Sequence, residues 1–421
     1  MRVVIVGCGV GGLTLALSLQ AAGCNDIDLY ESGNEINELG VGINMLPHAV
    51  RELTELGLAD DLANVAIPTS ELIMFNMQGQ EIWRESRGLH AGYNWPQYSI
   101  NRGQLQSLLH RAVAERIGRD RIHTGHKVIR YENLSTPNLL GHRALAHFSH
   151  GSSTSGDIIV AADGVHSAIR SQMHPHEGPV LWNGITMWRG VVESDPFLSG
   201  KSMVMIGRFL KRAVIYPISI EAANRGRSLI NMVLEVKVSD NRPMPRQDWN
   251  HEVDRDEIRS HFSSMKFDWI DVGSLLEQVN QWFQYPMVDR DPLDSWTDGR
   301  VVLLGDAAHP MYPVGSNGGS QAILDARTLA RDLALQPDID TAIGAYEAVR
   351  RPATSGIVLA NRQVGAEKPM ELAAERAPHG FTNIEDVIPR AELEDLSRHY
   401  KKLAGFDPAL LNAQPSRSVV K

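Results

Sequence analysis

The stretch that most constrains this chain is Val3-Val4-Ile5-Val6 running directly into Gly7-Cys8-Gly9-Val10-Gly11-Gly12. A short run of β-branched apolar residues reads as a fully buried strand. The glycines behind it satisfy Gly-x-Gly-x-x-Gly, in which Gly7 serves the tight turn, Gly9 the close approach of a pyrophosphate, and Gly12 helix–strand packing. Leu13, Ala16, Leu17 and Gln20 continue at helical spacing, so the helix N-terminus can aim its free amides at an anion. Ile27-Asp28-Leu29-Tyr30 reads as a second strand, ending in Glu31, whose carboxylate can accept both hydroxyls of an adenosine ribose. Strand, glycines, helix, strand and terminal acid together predict a dinucleotide site in an α/β domain. The same opening, "MRVVIVGCGVGGLTLALSLQAAGC", imitates a secretory signal. Its glycines fall where a signal's apolar segment should be helical, so structure is the better reading.

Composition narrows the class. With 421 residues the chain is too long for one simple core and predicts two domains. A net charge of −9 argues against a nucleic-acid partner. No stretch approaches the ~20 apolar residues of a transmembrane helix, so no membrane partner is expected. Two cysteines, Cys8 and Cys24, cannot form a disulfide framework, which points to a reducing, cytoplasmic setting.

A second stretch, "GDAAHPMYPVGSNGG" (305–319), follows the apolar run Val301–Leu304. Asp306 would stand at the carboxyl edge of the sheet, where α/β proteins bind ligands, and could accept from a sugar-alcohol chain such as ribityl. Pro310 and Pro313 stiffen the loop. Gly315, Gly318 and Gly319 would clear side chains so that backbone amides meet a planar ring. The apolar spacing of Ala322, Ile323, Ala326, Leu329 and Ala330 predicts a helix whose positive end faces that ring. A third stretch, "DIIVAADGVHSAIRSQM" (157–173), reads as a strand, then Asp163-Gly164, then Ser167 and Arg170 opening a helix.

These three elements resemble the single-component FAD-dependent aromatic hydroxylases, the group of p-hydroxybenzoate and salicylate hydroxylases. "GVGIN" (40–44), "QYSINRGQLQ" (97–106), "GITMWRGV" (184–191) and "QYPMVDRDPL" (284–293) bring the pattern closest to phenazine hydroxylases. The likeness spans about residues 1–365. It implies an α/β fold: a Rossmann-like FAD-binding domain from 1–70, 99–179 and 286–365, an inserted mixed or antiparallel-sheet substrate domain from 71–98 and 180–285, and a helical C-terminal tail, 366–421. The alternating stretches 203–220 and 228–238 suit antiparallel strands, and the prolines and acids of 239–256 mark a loop. Non-covalent FAD is the implied cofactor, held by Gly7, Gly9, Gly11, Gly12, Glu31, Asp163, Asp306 and Gly315. Arg102 would meet the ribityl–phosphate region and Val128 the adenine side. Gly42 would pass the isoalloxazine, and Asn317 and Gly318 would hold its pyrimidine edge.

The implied reaction is NAD(P)H-dependent hydroxylation of a small aromatic substrate by dioxygen through a flavin hydroperoxide, with oxidative decarboxylation where the substrate is an acid. NADH and NADPH are both open as the reductant, and the chain would act as a monomer or homodimer. Toward the substrate, the expected residues are Pro313 in the flavin loop, Arg189 for a carboxylate, and Tyr216 or His309 for a phenol. Two other readings use the same scaffold: a flavoprotein that traps aromatic ligands without turnover, and an FAD reductase or isoprenoid epoxidase. The histidines 142, 147, 150, 174 and 176 lack the cysteine or acid cluster a zinc site needs, so no metal is expected.

Overall fold

The structure is a computed structural model that describes residues 1–35, 40–134, 143–238, 244–245 and 251–419. The strand Arg2–Val6 lies inside a six-stranded sheet, paired in parallel with Asp26–Tyr30 on one side and Ile158–Ala161 on the other. Val301–Leu303 and Ile122–His123 extend the sheet in parallel, and Thr297–Asp298 closes one edge antiparallel. Val3, Val4 and Ile5 are wholly buried, as a strand covered on both faces requires. The neighbours of the first strand come from sequence positions 130 residues apart or more, so the sheet is assembled from discontinuous segments, the first two strands being joined by the helix Val10–Ala21. That helix packs against Arg102–Arg116 and Gly318–Leu335. It is apolar on every side, which suits an element enclosed by sheet and helices.

A second, eight-stranded sheet draws its strands from 71–86, 181–237 and 252–289. It is antiparallel throughout except where Ser202–Arg208 runs parallel to Glu71–Phe75. The period of two sorts its side chains. Val204, Ile206, Ala213 and Ile215 face a core completed by the helices Arg255–Phe262 and Val272–Gln278. Met203, Met205, Val214 and Tyr216 face the other way, toward the cavity described below. The loop expected at 239–256 falls largely outside the described residues.

The C-terminal tail is helical and docked. After Ile339–Arg362 come Lys368–Arg376, Arg390–Leu403 and Pro408–Ala413. Tyr400, Phe406 and Leu411 pack with Leu46, Tyr93 and Ile357, and Tyr93 donates its hydroxyl to the Phe406 carbonyl at 2.6 Å. Among the described residues, no helix is long and apolar enough to cross a membrane.

Candidate active site

The glycine turn is built by contact. Gly7 has φ +104°, and a Cβ there would lie 2.3 Å from the Ala162 carbonyl oxygen. One on Gly12 would lie 2.0 Å from the Gly7 oxygen, whereas one on Gly9 would meet nothing within 4 Å. Gly7 and Gly12 therefore close the packing, and Gly9 leaves open the approach to the helix. Gly11 makes room for the Leu304 side chain. No side chain caps the helix Val10–Ala21, so its first amides face the cavity side unclaimed by a cap. Glu31 ends the second strand with its orientation set by backbone: Oε2 accepts from the Cys8 amide at 2.8 Å and Oε1 from the Gly33 amide at 2.9 Å. Its carbonyl accepts from the His126 amide, which brings Val128, at the start of the strand Val128–Leu134, to the Glu31 end of the site. Val128 does not line the cavity.

From Gly9 a cavity of about 330 Å³ runs past Gly42, Arg102 and Asp306 to Gly318 and on between the second sheet and the C-terminal tail. Asp306 sits in the turn Gly305–Ala307, exposed toward this space. Arg102 opens the helix Arg102–Arg116, capped by Asn101; burial lowers its pKa, and Asp306 opposes that shift. The Gly42 amide donates to Asn231 Oδ1 at 2.6 Å, and a Cβ there would strike Asn231 and Tyr216. Gly318 opens the helix Gly318–Leu335 with only Asp306 Oδ1, at 3.9 Å, near the place of a Cβ. The two open glycines, Gly9 and Gly318, each at a helix N-terminus, form the cradle that a long ligand with a pyrophosphate and a flat anionic end requires. FAD fits these residues.

The Asp163 element braces the loop. Ser167 caps the helix Ala168–Met173, and Arg170, fully buried, donates to the carbonyls of Ala307 and Ala308 at 3.0 and 2.7 Å. Burial pushes the Asp163 carboxyl up to about 6, against hydrogen bonds from Ser167 and from backbone amides that include Ala168.

Three of the expected residues make contacts within the protein. His309 does not line the cavity: it is buried behind the loop, with Nε2 2.5 Å from Asp325 Oδ2. Asp325 also accepts from Arg350 Nε at 2.6 Å and from the Gly305 amide at 3.1 Å, so His309 ties the loop to the helix behind it. Gly315, at φ +66°, clears space for the Tyr400 ring, whose hydroxyl lies 2.3 Å from a Cβ built there. Gly315 lines the cavity as well. Asn317 spends its side-chain amide on the Tyr400 hydroxyl at 2.8 Å and the Gly315 carbonyl, which leaves its backbone for a ligand. Pro313, Arg189 and Tyr216 do line the cavity. Burial pushes the Tyr216 phenol up to about 12, with Arg189 pulling it down, so it stays a hydrogen-bond donor at neutral pH. Among the described residues no group of three His, Cys, Asp or Glu could hold a metal; His142 lies outside them.

Sequence reasoning missed the charged wall. Arg212 pairs with Glu235 (Nε to Oε2, 2.6 Å) and with Glu367, and Glu85 pairs with Arg87 (2.9 Å) and Lys401. All six line the cavity. Arg212 and Glu235 were visible as charges at inward positions of apolar strands; Glu367 and Lys401 belong to a tail without motifs.

Losing a charged hydrogen bond costs about ten- to a hundredfold in affinity. Glu31→Ala and Asp306→Ala, at opposite ends of the cradle, should therefore each weaken FAD retention by that factor. Flavin absorbance after gel filtration reads it, and wild-type retention by both variants would remove these acids from the site.

The FAD binding domain family matches residues 1–360. The phenazine 1,6-dicarboxylic acid hydroxylase of Lysobacter antibioticus is 45% identical over 86% of this chain and 89% of its own. 3-Hydroxybenzoate 6-hydroxylase 1 of Aquipseudomonas alcaligenes is 30% identical over 85% and 86%. Among solved structures, Klebsiella pneumoniae HpxO complexed with FAD and uric acid superposes with a TM-score of 0.74 at 25% identity, covering 96% of each chain. A salicylate hydroxylase substrate complex shares the fold at a TM-score of 0.73 and 22% identity, covering 99% of this chain and 98% of its own. The ligand-trapping and epoxidase readings find no counterpart among these relatives.

Proposed function

The chain belongs to the FAD binding domain family, with FAD-dependent aromatic hydroxylases as its relatives, and on that premise we propose that its substrate is a planar heteroaromatic carboxylic acid. The balanced reaction takes the substrate, dioxygen, NAD(P)H and a proton to the hydroxylated ring, NAD(P)⁺ and water. Carbon dioxide leaves as well where the hydroxyl replaces the carboxylate. Bound FAD supplies the redox and oxygen chemistry that the chain's own side chains lack.

The chain supplies position, dryness and charge. Amides at Gly9–Gly11 face the pyrophosphate, Glu31 the ribose, Arg102 and Asp306 the ribityl–phosphate stretch, and the Gly318 end of its helix the pyrimidine edge. Asp163 and Gly7 hold the turns between them. The second sheet roofs the ring site with Met203, Met205, Val214 and Val233, which exclude water from a flat apolar substrate. Arg189 adds positive charge to the cavity wall, and Tyr216 donates to the hydroxyl end. The segments 71–98 and 180–285 act as the substrate domain and the remainder to 365 as the FAD domain, in a cytoplasmic monomer or homodimer. The observation that carries this reading is one cavity joining two open helix N-termini to an apolar chamber with cationic side chains.

Aromatic acids should accelerate NAD(P)H oxidation by the yellow protein at least about tenfold, a lowering of the barrier by about 1.4 kcal/mol. Stopped-flow reduction of the flavin with and without ligand checks it. Equal rates with every aromatic that binds would leave a binding protein.

A further inference from the structure

We propose that Arg87 and Lys401, set against the single carboxylate of Glu85, form a carboxylate-binding subsite for the substrate, supplied in part by the C-terminal tail. The inference rests on the hydroxylase reading for the identity of the ligand, but its geometry stands apart from the flavin cradle.

Glu85 lies on the strand Glu81–Ser86, Arg87 follows it, and Lys401 comes from the helix Arg390–Leu403. All three line the cavity, and their side chains are only 11–14% exposed. Two cations thus share one acid, leaving one positive charge in a nearly dry wall. Arg87 donates to Glu85 from Nη2, while its buried Nε has no hydrogen-bond partner among the described residues. Ser397 takes up further acceptor capacity of Glu85, so the carboxylate is already the hub of three donors. Burial lowers the Lys401 pKa, as expected of a partly desolvated ammonium, and Glu85 and Asp407 oppose that shift. Asp407 caps the helix Pro408–Ala413 and does not line the cavity.

The neighbouring group has the opposite sign. Arg212 faces two acids, Glu235 and Glu367, and so offers no attraction to a ligand anion. An acid on a flat ring stacked along Met203 and Met205 finds a partner at Arg87 and Lys401. A carboxylate there would complete the unpaired half of the group with charge-assisted hydrogen bonds.

The test is equilibrium binding to the FAD-loaded protein, followed by flavin absorbance, with phenazine-1-carboxylate and its isosteric carboxamide. The wild type should prefer the acid by about tenfold, the worth of one charge-assisted hydrogen bond. Lys401→Met and Arg87→Met should bring the preference close to one while amide binding changes less than about twofold. Glu85→Gln, which frees a positive charge, should increase the preference for the acid, a gain no merely structural role predicts. A wild type without acid preference, or variants that lose acid and amide equally, would overturn the subsite. Turnover of the same ligands reads the hydroxylase assignment separately: a protein that keeps the acid preference but hydroxylates nothing has the subsite and lacks the reaction.

Discussion

Gly318→Val is expected to fold with a near-native melting temperature and to leave purification colourless, its FAD affinity lowered by more than about a hundredfold. The backbone tolerates the change. Gly318 lies in the first turn of a helix, where valine is no worse a helix former than the glycine it replaces. The space tolerates it as well, since only Asp306 Oδ1, 3.9 Å away, is near the new Cβ. What valine would occupy is the place where, in the proposed function, the cradle presents amides to the pyrimidine edge. Gly315→Ala should behave in the opposite way. At φ +66°, with Tyr400 in the way, alanine strains the backbone and pushes the C-terminal helix off the loop, so stability falls first. Melting curves and flavin absorbance on the two variants separate the two roles, and a yellow, fully active Gly318→Val would place the flavin elsewhere.

Asp325→Ala should cost about 3–5 kcal/mol of stability, because it leaves Arg350 and His309 buried without their acid. The pH dependence has a definite sign. Burial alone would raise the Asp325 carboxyl, but the charges and hydrogen bonds of His309 and Arg350 hold it down at about 2. A folded-state value below the unfolded one means that this contribution is complete above about pH 4 and is lost between about pH 4 and 2. Urea midpoints should therefore separate wild type from variant widely at pH 7 and converge as pH falls through 3. A constant gap down to pH 2 would show that the acid's charge is not what holds the loop.

The legible parts of the site were those whose partners are close in sequence or repeat with a short period. Gly7, Gly9 and Gly12 carry their roles within six residues, and the geometry around each matches the packing or opening its position demands. Alternation along 203–220 foretold antiparallel strands, which the second sheet contains. The illegible parts depend on contacts across the chain. Gly315 reads as a gap for a ligand because nothing nearby in sequence announces Tyr400, 85 residues on. His309 reads as a loop histidine free for a phenol until the helix behind it places Asp325, sixteen residues on, at hydrogen-bond distance. The tail carries no motif, yet it supplies Glu367 and Lys401 to the cavity wall, since tertiary docking places them there.

The measurement closest to the central claim is turnover of a heteroaromatic acid by the FAD-loaded protein under ¹⁸O₂, with product mass and NAD(P)H consumption read together. A single labelled oxygen is expected in the ring product for each NAD(P)H oxidised. Oxidation of NAD(P)H that ends only in hydrogen peroxide, with no labelled product from any aromatic acid that binds, would contradict it.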